Sequence, residues 1–273
     1  MTDALVSADW VAQQTGKQAV RVIEVTFDPA LYNDWHLTGA LAINWLRDLI
    51  EEEDESSGKV VDPERFAALA RRLGIHPEDT LIFYGDQGGR HAARALWVFE
   101  YYRHAGALHL MDGGREQWQR EGRPTSDEAA HPEPSGYPVP SARRPELRAT
   151  AEQIIAGLKK GGLTVLDVRT REEYDGTDVR AARGGHIPGA VNLDWIMAVD
   201  RERNLRFKPA HELRPMLERL GITPEKEVIA HCQTHHRSSH SYIVLKWLGY
   251  GRIRGYDGSW SEWGNDPTLP VER

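Results

Sequence analysis

"GGHIPGAVNLDW" (residues 184–195) decides the fold, because the chain writes it a second time as "DWHLTGALAINW" (residues 34–45). Aligned on the histidine, both read His-x-x-Gly-Ala and then, five residues on, Trp: His36, Gly39, Ala40 and Trp45 against His186, Gly189, Ala190 and Trp195. An apolar, β-branched run precedes each copy, "VRVIEV" (20–25) and "LTVLDV" (163–168). Downstream, "ALARRLGIHPEDTLIFYGD" (68–86) matches "PMLERLGITPEKEVIAHCQ" (215–233), and "MDGGREQW" (111–118) matches "YDGSWSEW" (256–263). Matching blocks in one order at nearly constant offset mean a tandem duplication of a domain of roughly 120 to 130 residues. The expected division is 1–124 and 148–273. Between them "TSDEAAHPEPSGYPVPSARRPEL" (125–147), rich in proline, serine and charge, reads as a linker.

Each copy runs strand, loop, short strand, helix, strand, helix. "LIFYG" and "EVIAH" are short apolar runs suited to buried strands. An amphipathic helix precedes each and closes on Leu-Gly, where glycine supplies the left-handed stop. A helix follows each, in "HAARALWVFEYYRHAG" and "SSHSYIVLKWLGYG", the second expected to begin near Ser238 or Ser239. This alternation predicts an α/β fold: two similar domains, each a mostly parallel sheet flanked by helices.

Composition narrows the function. A chain of 273 residues, 40% hydrophobic and 27% charged, is ordinary for a soluble globular protein. A net charge of −7 argues against general nucleic-acid binding. No stretch approaches the ~20 apolar residues that span a membrane. "MTDALVSADWVAQQTGK" lacks a basic segment followed by an apolar run, so no secretory signal is expected. With one cysteine there is no internal disulfide, and a cytoplasmic location is the simplest expectation.

That one cysteine, Cys232, opens "CQTHHR" at the carboxyl end of a strand, where ligands of open α/β sheets sit. The first copy has Gly85 there, so the second half is expected to react and the first to support it. The thiol is expected to be exposed rather than part of the core. A following helix, Arg237 and the histidines His235, His236 and His240 would favour thiolate. If the loop curls round the sulfur, the amides of Gln233, Thr234, His235, His236 and Arg237 form an anion nest for a thiolate, a persulfide or a small oxyanion. Two other readings stand beside this one: an inert buried thiol, and a zinc site of Cys232 with His235, His236 and His240, the last two at helical i,i+4 spacing. The short span and the lack of a second ligand cluster argue for no metal. His36 and His186 occur in both halves, which points to turn geometry or a buried hydrogen bond. Trp195 is the aromatic to watch beside the cysteine.

With "GHIPGA" (185–190), "LDVRTREEY" (166–174) and a six-residue loop opened by cysteine, the chain resembles the tandem-domain rhodaneses, thiosulfate sulfurtransferases, and its loop is similar to that of bacterial members. The resemblance covers residues from about 5 to 265. It implies that Cys232 takes the outer sulfur of thiosulfate, releases sulfite, and passes the persulfide sulfur to cyanide, a thiol or a sulfur-accepting protein. No cofactor is implied. Asp167 and Arg169 match the family's strand-end pair and are expected to brace the loop. Two cationic positions of the family are replaced here by Glu173 and Thr234. Arg237 with His235 is expected to neutralise the dianion instead, with Arg180 or Arg183 reaching in. Mercaptopyruvate sulfurtransferases share the architecture but carry a small Gly/Ser loop. Some protein phosphatases share the domain but place five residues, not four, between cysteine and arginine. A non-catalytic persulfide carrier is the remaining alternative.

Overall fold

The protein is described from a computed structural model over residues 3–51 and 58–273. Two parallel sheets carry the architecture. In the first, strands lie in the order Leu5–Val6, Leu108–Met111, Thr80–Tyr84, Val20–Glu24, Leu41–Ala42, every neighbour parallel. In the second, the order is Ile253–Gly255, Glu227–His231, Leu163–Asp167, Val191–Asn192, again all parallel. Strands equivalent by sequence occupy equivalent places. Where the first sheet has its edge strand Leu5–Val6, the second has a single parallel bridge from Arg148 to Gly255. Parallel pairing needs crossovers, and helices supply them, so the middles of the central strands are buried and apolar, as at Ile23, Ile82, Val165 and Ile229.

The repeated helix Pro63–Arg72 starts on Asp62, whose side chain accepts from the Arg65 amide, and its partner is Ala210–Arg219. They stop at Leu73 and Leu220, each followed by a left-handed glycine, Gly74 (φ +60°) and Gly221 (φ +70°).

The repeated histidines are structural in both halves. His36 stacks on Tyr32 at 3.8 Å between ring centres, and His186 on Tyr174 at 3.7 Å. Each donates through Nδ1 to the carbonyl of that tyrosine, at 2.8 and 2.9 Å. Each tyrosine hydroxyl in turn donates to the alanine of the motif, Ala40 or Ala190, at 2.6 Å. The motif is a turn lock.

Residues 125–147 do not hang free. Thr125–Ser126 pairs antiparallel with His36–Leu37, the Ser135 amide donates to Arg71, and Tyr137 is buried against Phe66 and His104. The stretch is a strap laid over the first half, since proline removes donors but leaves carbonyls and apolar rings free to pack.

One hydrophobic cluster runs from the first sheet (Ile23, Phe83) through Leu96, Trp97, Ile243 and Val244 to Leu166 in the second. The helices Arg90–Tyr101 and His236–Trp247, each following a loop at a strand end, pack against each other. In His236–Trp247 even Ser238, Ser239, His240 and Ser241 are buried. A helix covered on every side is a core helix whatever its polarity, and its small serines admit close neighbours. Each loop tip therefore faces the other half of the molecule.

Candidate active site

The strand Glu227–His231 ends at Cys232, and the chain turns back on itself through His235, which adopts a left-handed conformation (φ 62°). For a residue with a Cβ this costs about 1 kcal/mol. Local packing holds it there. His235 Nδ1 lies 2.6 Å from Ser238 Oγ, and the ring meets Trp97 edge-on at 4.7 Å. Gly255 leaves the space, since a Cβ there would stand 2.2 Å from the imidazole. The turn feeds straight into the helix, which begins at His236, two residues before the expected start at Ser238.

The expectation of an exposed thiol is not met: Cys232 is 1% exposed and packs into the hydrophobic cluster. The opposite half covers the loop around it. Gly58 lies on Thr234 so closely that a Cβ would reach its carbonyl oxygen at 2.5 Å. Trp45 and His91 cover His236, at 4.6 and 5.1 Å between ring centres.

Burial by itself raises a thiol's pKa, yet Cys232 ends below its ordinary value. Arg237 acts first against burial, followed by the Ser238 hydroxyl and the amides of Ser238 and Thr234. The Ser238 hydroxyl lies 3.5 Å from Sγ. It has one proton to give; if that goes to sulfur, the 2.6 Å contact to His235 needs an Nδ1–H donor. The amide contribution thus comes from Thr234 and, unforeseen, from Ser238.

The histidines carry no charge into this site, which corrects the expectation that they add to its positive field. Burial, with Arg94 and Arg148 nearby, pushes His235 well below the ordinary imidazole value. Burial, with His91 and Arg94, does the same to His236. His240, against Trp195 and Phe207, is pushed by burial to about 3. His235 is therefore no counter-charge for an anionic substrate.

Arg237 is charged but occupied. Its two terminal nitrogens donate to the two oxygens of Glu173, at 2.6 and 2.8 Å, and Glu173 has no exposed surface. Burial opposes the Glu173 charge, but Arg237 and the Thr170 amide hold its carboxyl below the usual range. Arg183 does not reach the site. Its guanidinium donates to the carbonyls of Trp263, Asp266 and Leu269, tying down the C-terminal segment. Arg180 pairs with Asp178 at 2.7 Å and lies 3.9 Å from Glu173. Gln233 donates to the Arg180 carbonyl at 3.0 Å, and Thr234 Oγ1 lies 3.2 Å from His236 Nδ1.

Asp167 and Arg169 are buried as a fork: Nε to both carboxylate oxygens at 3.0 Å, Nη2 to Oδ2 at 2.6 Å. Nη2 also donates to the Gly185 carbonyl at 2.7 Å, locking the motif turn to the strand end. The pair braces: its hydrogen bonds run to each other and to the motif turn. Trp195 lies between the halves, 5.2 Å from His240, and a Cβ on Gly88 of the first half would stand 3.3 Å from its ring. No group of three or more His, Cys, Asp or Glu side chains gathers to hold a metal ion among the described residues.

Sequence reading missed Ser238, whose position one residue after Arg237 held the signal. It also missed Arg90, which the duplication aligns with Arg237 itself, each five residues after Gly85 or Cys232.

A family model for the rhodanese-like domain matches residues 7–121 and 150–266. The "Sulfur carrier protein TtuD" of Thermus thermophilus is 40% identical, over 99% of this chain and 97% of its own length. A thiosulfate sulfurtransferase of Azotobacter vinelandii is 40% identical over 89% of this chain and 88% of its own, and one of Pseudomonas aeruginosa 39% identical over 96% and 94%. A solved structure of EanB bound to ergothioneine superposes with a TM-score of 0.88 at 22% identity, covering 99% of this chain and 70% of that one, a likeness of fold. No described helix is long and apolar enough to cross a membrane.

Proposed function

Because the chain belongs to the rhodanese family, we propose that it is a thiosulfate sulfurtransferase working through a persulfide on Cys232. The Cys232 thiolate attacks the outer sulfur of thiosulfate, the sulfur–sulfur bond breaks, and sulfite leaves with the bonding pair. The sulfane sulfur remains on Cys232 as an anionic persulfide. A nucleophile, cyanide or a thiol, then takes that sulfur and restores the thiolate. Splitting the transfer in two replaces one hard displacement with two easier ones.

The observation that carries this reading is a fully buried thiol that is nonetheless more acidic than usual. Burial in an apolar pocket makes a cysteine inert unless something stabilises its anion. Here a hydroxyl and two amides donate to one sulfur, and the Arg237 charge, though its nitrogens are turned to Glu173, acts on it through space. The same donors suit a persulfide anion, and the cover of the opposite half favours small donors and acceptors. Arg237, engaged by a buried carboxylate, is poorly placed to grip the three oxygens of a phosphate ester, which weighs against the phosphatase reading.

The relative named a sulfur carrier protein gives one specific reason to keep a second reading, a carrier that discharges to a partner protein. One experiment separates them. After incubation with thiosulfate, intact mass is expected to show one added sulfur on the native protein, removed by cyanide, and none on Cys232→Ser. Sulfur transfer retained by that variant excludes the covalent route. Slow loading that cyanide does not discharge supports the carrier.

A further inference from the structure

Thiosulfate is a dianion, and most cations near Cys232 already have partners. Arg169 is spent on Asp167 and Gly185, Arg183 on C-terminal carbonyls, Arg180 on Asp178, and Arg237 on Glu173. His235 and His236 are neutral. The second half is left without a free cation for the donor's oxygens among its described residues nearest the thiol.

The first half has a candidate. Arg90 opens the helix Arg90–Tyr101, at the position matching Arg237, and is partly exposed. Its guanidinium stands 5.8 Å from the centre of the Trp195 ring and 5.6 Å from that of Phe27. It donates to Gln87 Oε1 on its own loop, while its Nε is buried with no partner. Asp86 is the acid beside it, but Asp86 Oδ1 already accepts from the Phe27 amide at 2.8 Å. The charges of Cys232 and Arg237 are both within its electrostatic reach. Arg94, one turn on, differs: it is fully buried, donates to the Gly58 carbonyl at 2.8 Å and stacks over Trp97. Its Nε and Nη1 also lack partners, but none of its side chain is open to solvent, whereas Arg90 is partly exposed beside Trp195, where a donor arriving from outside meets it.

We propose that Arg90, supplied by the half without the cysteine, binds the sulfonate end of thiosulfate and the sulfite that leaves, so that the donor site is completed between the two halves. This rests on the sulfur-transfer reading above. In the displacement, Cys232 gains the sulfane sulfur and the electron pair of the broken bond departs on sulfite. A guanidinium on the oxygens therefore stabilises both the donor and the departing anion.

Calorimetry on full-length Cys232→Ser, which binds without reacting, isolates the anion site. Thiosulfate and sulfite are expected to bind Cys232→Ser/Arg90→Gln about ten- to hundredfold more weakly than Cys232→Ser, the worth of charge-assisted hydrogen bonds. Arg90→Lys is expected to recover most of the loss. In the reactive enzyme, Arg90→Gln is expected to raise the thiosulfate KM and weaken sulfite inhibition by that same factor. Discharge of the loaded persulfide by dithiothreitol, a neutral thiol, should stay within twofold. Equal anion affinity with and without Arg90 overturns the inference, and so does a loss that Arg90→Lys shares in full. If native protein takes sulfur from thiosulfate and Arg90→Gln does so as readily, the function stands and this inference falls. If native protein takes none, the function falls, while the calorimetry still decides the anion site.

Discussion

Two loops sit at matching strand ends, Gly85–Arg90 and Cys232–Arg237, and they share their frame, although the first is left-handed at Gln87, Gly88 and Gly89 and the second only at His235. Both turn into a helix through a left-handed residue at the same position, Gly88 (φ 73°) and His235 (φ 62°). In both, the first carbonyl accepts an amide from a later helix, Arg115 to Gly85 and Trp260 to Cys232, at 2.9 Å. Both strand ends keep a buried acid, Glu24 and Asp167, paired with an arginine that lies over a tryptophan: Arg115 over Trp35 and Arg169 over Trp260. At the tip they part. A Cβ on Gly85 would stand 2.2 Å from the Val25 carbonyl oxygen, so this tip has no room for a side chain. At Cys232 the same scaffold admits a thiol, directs a hydroxyl and amides at it, and keeps the Arg237 charge within electrostatic reach. The lesson is that the first half is excluded from the chemistry by backbone space as much as by residue identity. It is then free to serve as the wall and, through Arg90, as a source of charge.

The sharpest way to break this contrast is to remove the cation that only the second loop ties to a buried acid. Arg237→Ala leaves the buried Glu173 charge with only the Thr170 amide and Arg180 at 3.9 Å, and unfolding in urea is expected to show a loss of about 3 kcal/mol. In that variant the Glu173 pKa rises above its unfolded value, so the penalty should shrink as the pH is lowered and the carboxyl protonates. In the native protein the sign is opposite. Glu173 is held below its unfolded value, so its contribution is present above about pH 4.3 and fades as the pH falls through the folded value. Replacing both partners by methionine should restore most of the stability and leave Cys232 less acidic.

Next in size is the reverse graft. Gly85→Cys forces a side chain against backbone and is expected to destabilise by about 1–3 kcal/mol. Intact mass after thiosulfate should show no second persulfide, because residue type alone does not bring the cradle.

The smallest effect isolates the hydroxyl. Ser238→Ala removes the donor to Sγ while leaving its own amide in place. The midpoint of the pH profile for alkylation of Cys232 by iodoacetamide should move up by about one pH unit, equivalent to ~1.4 kcal/mol. Because the buried His235 Nδ1 loses its partner in the same variant, a stability loss of about 1 kcal/mol is expected alongside. An unmoved midpoint would assign the thiol's acidity to Arg237 and the amides alone.

The duplication, the α/β class and the place of the thiol at a strand end were legible in the sequence, because hydrophobic period and turn residues repeat in register. The structural part of His36 and His186 was legible from their presence in both halves. Arg183 was misplaced and the charge of His235 and His236 misjudged for one reason. A basic residue's contribution depends on what it pairs with and how deeply it is buried, and those partners lie far along the chain: Leu269 for Arg183, Arg94 and Arg148 for His235.

By itself the sequence determined the family, the repeated scaffold and the identity of the one thiol, since these follow from local pattern. Tertiary structure alone decided that the thiol is covered, that Ser238 joins Arg237 in making it acidic, and that Glu173 occupies Arg237. It also decided that the first half brings Arg90 toward the site. Burial and ion pairing are properties of neighbours in space, and packing two helices from different halves against each other chooses those neighbours.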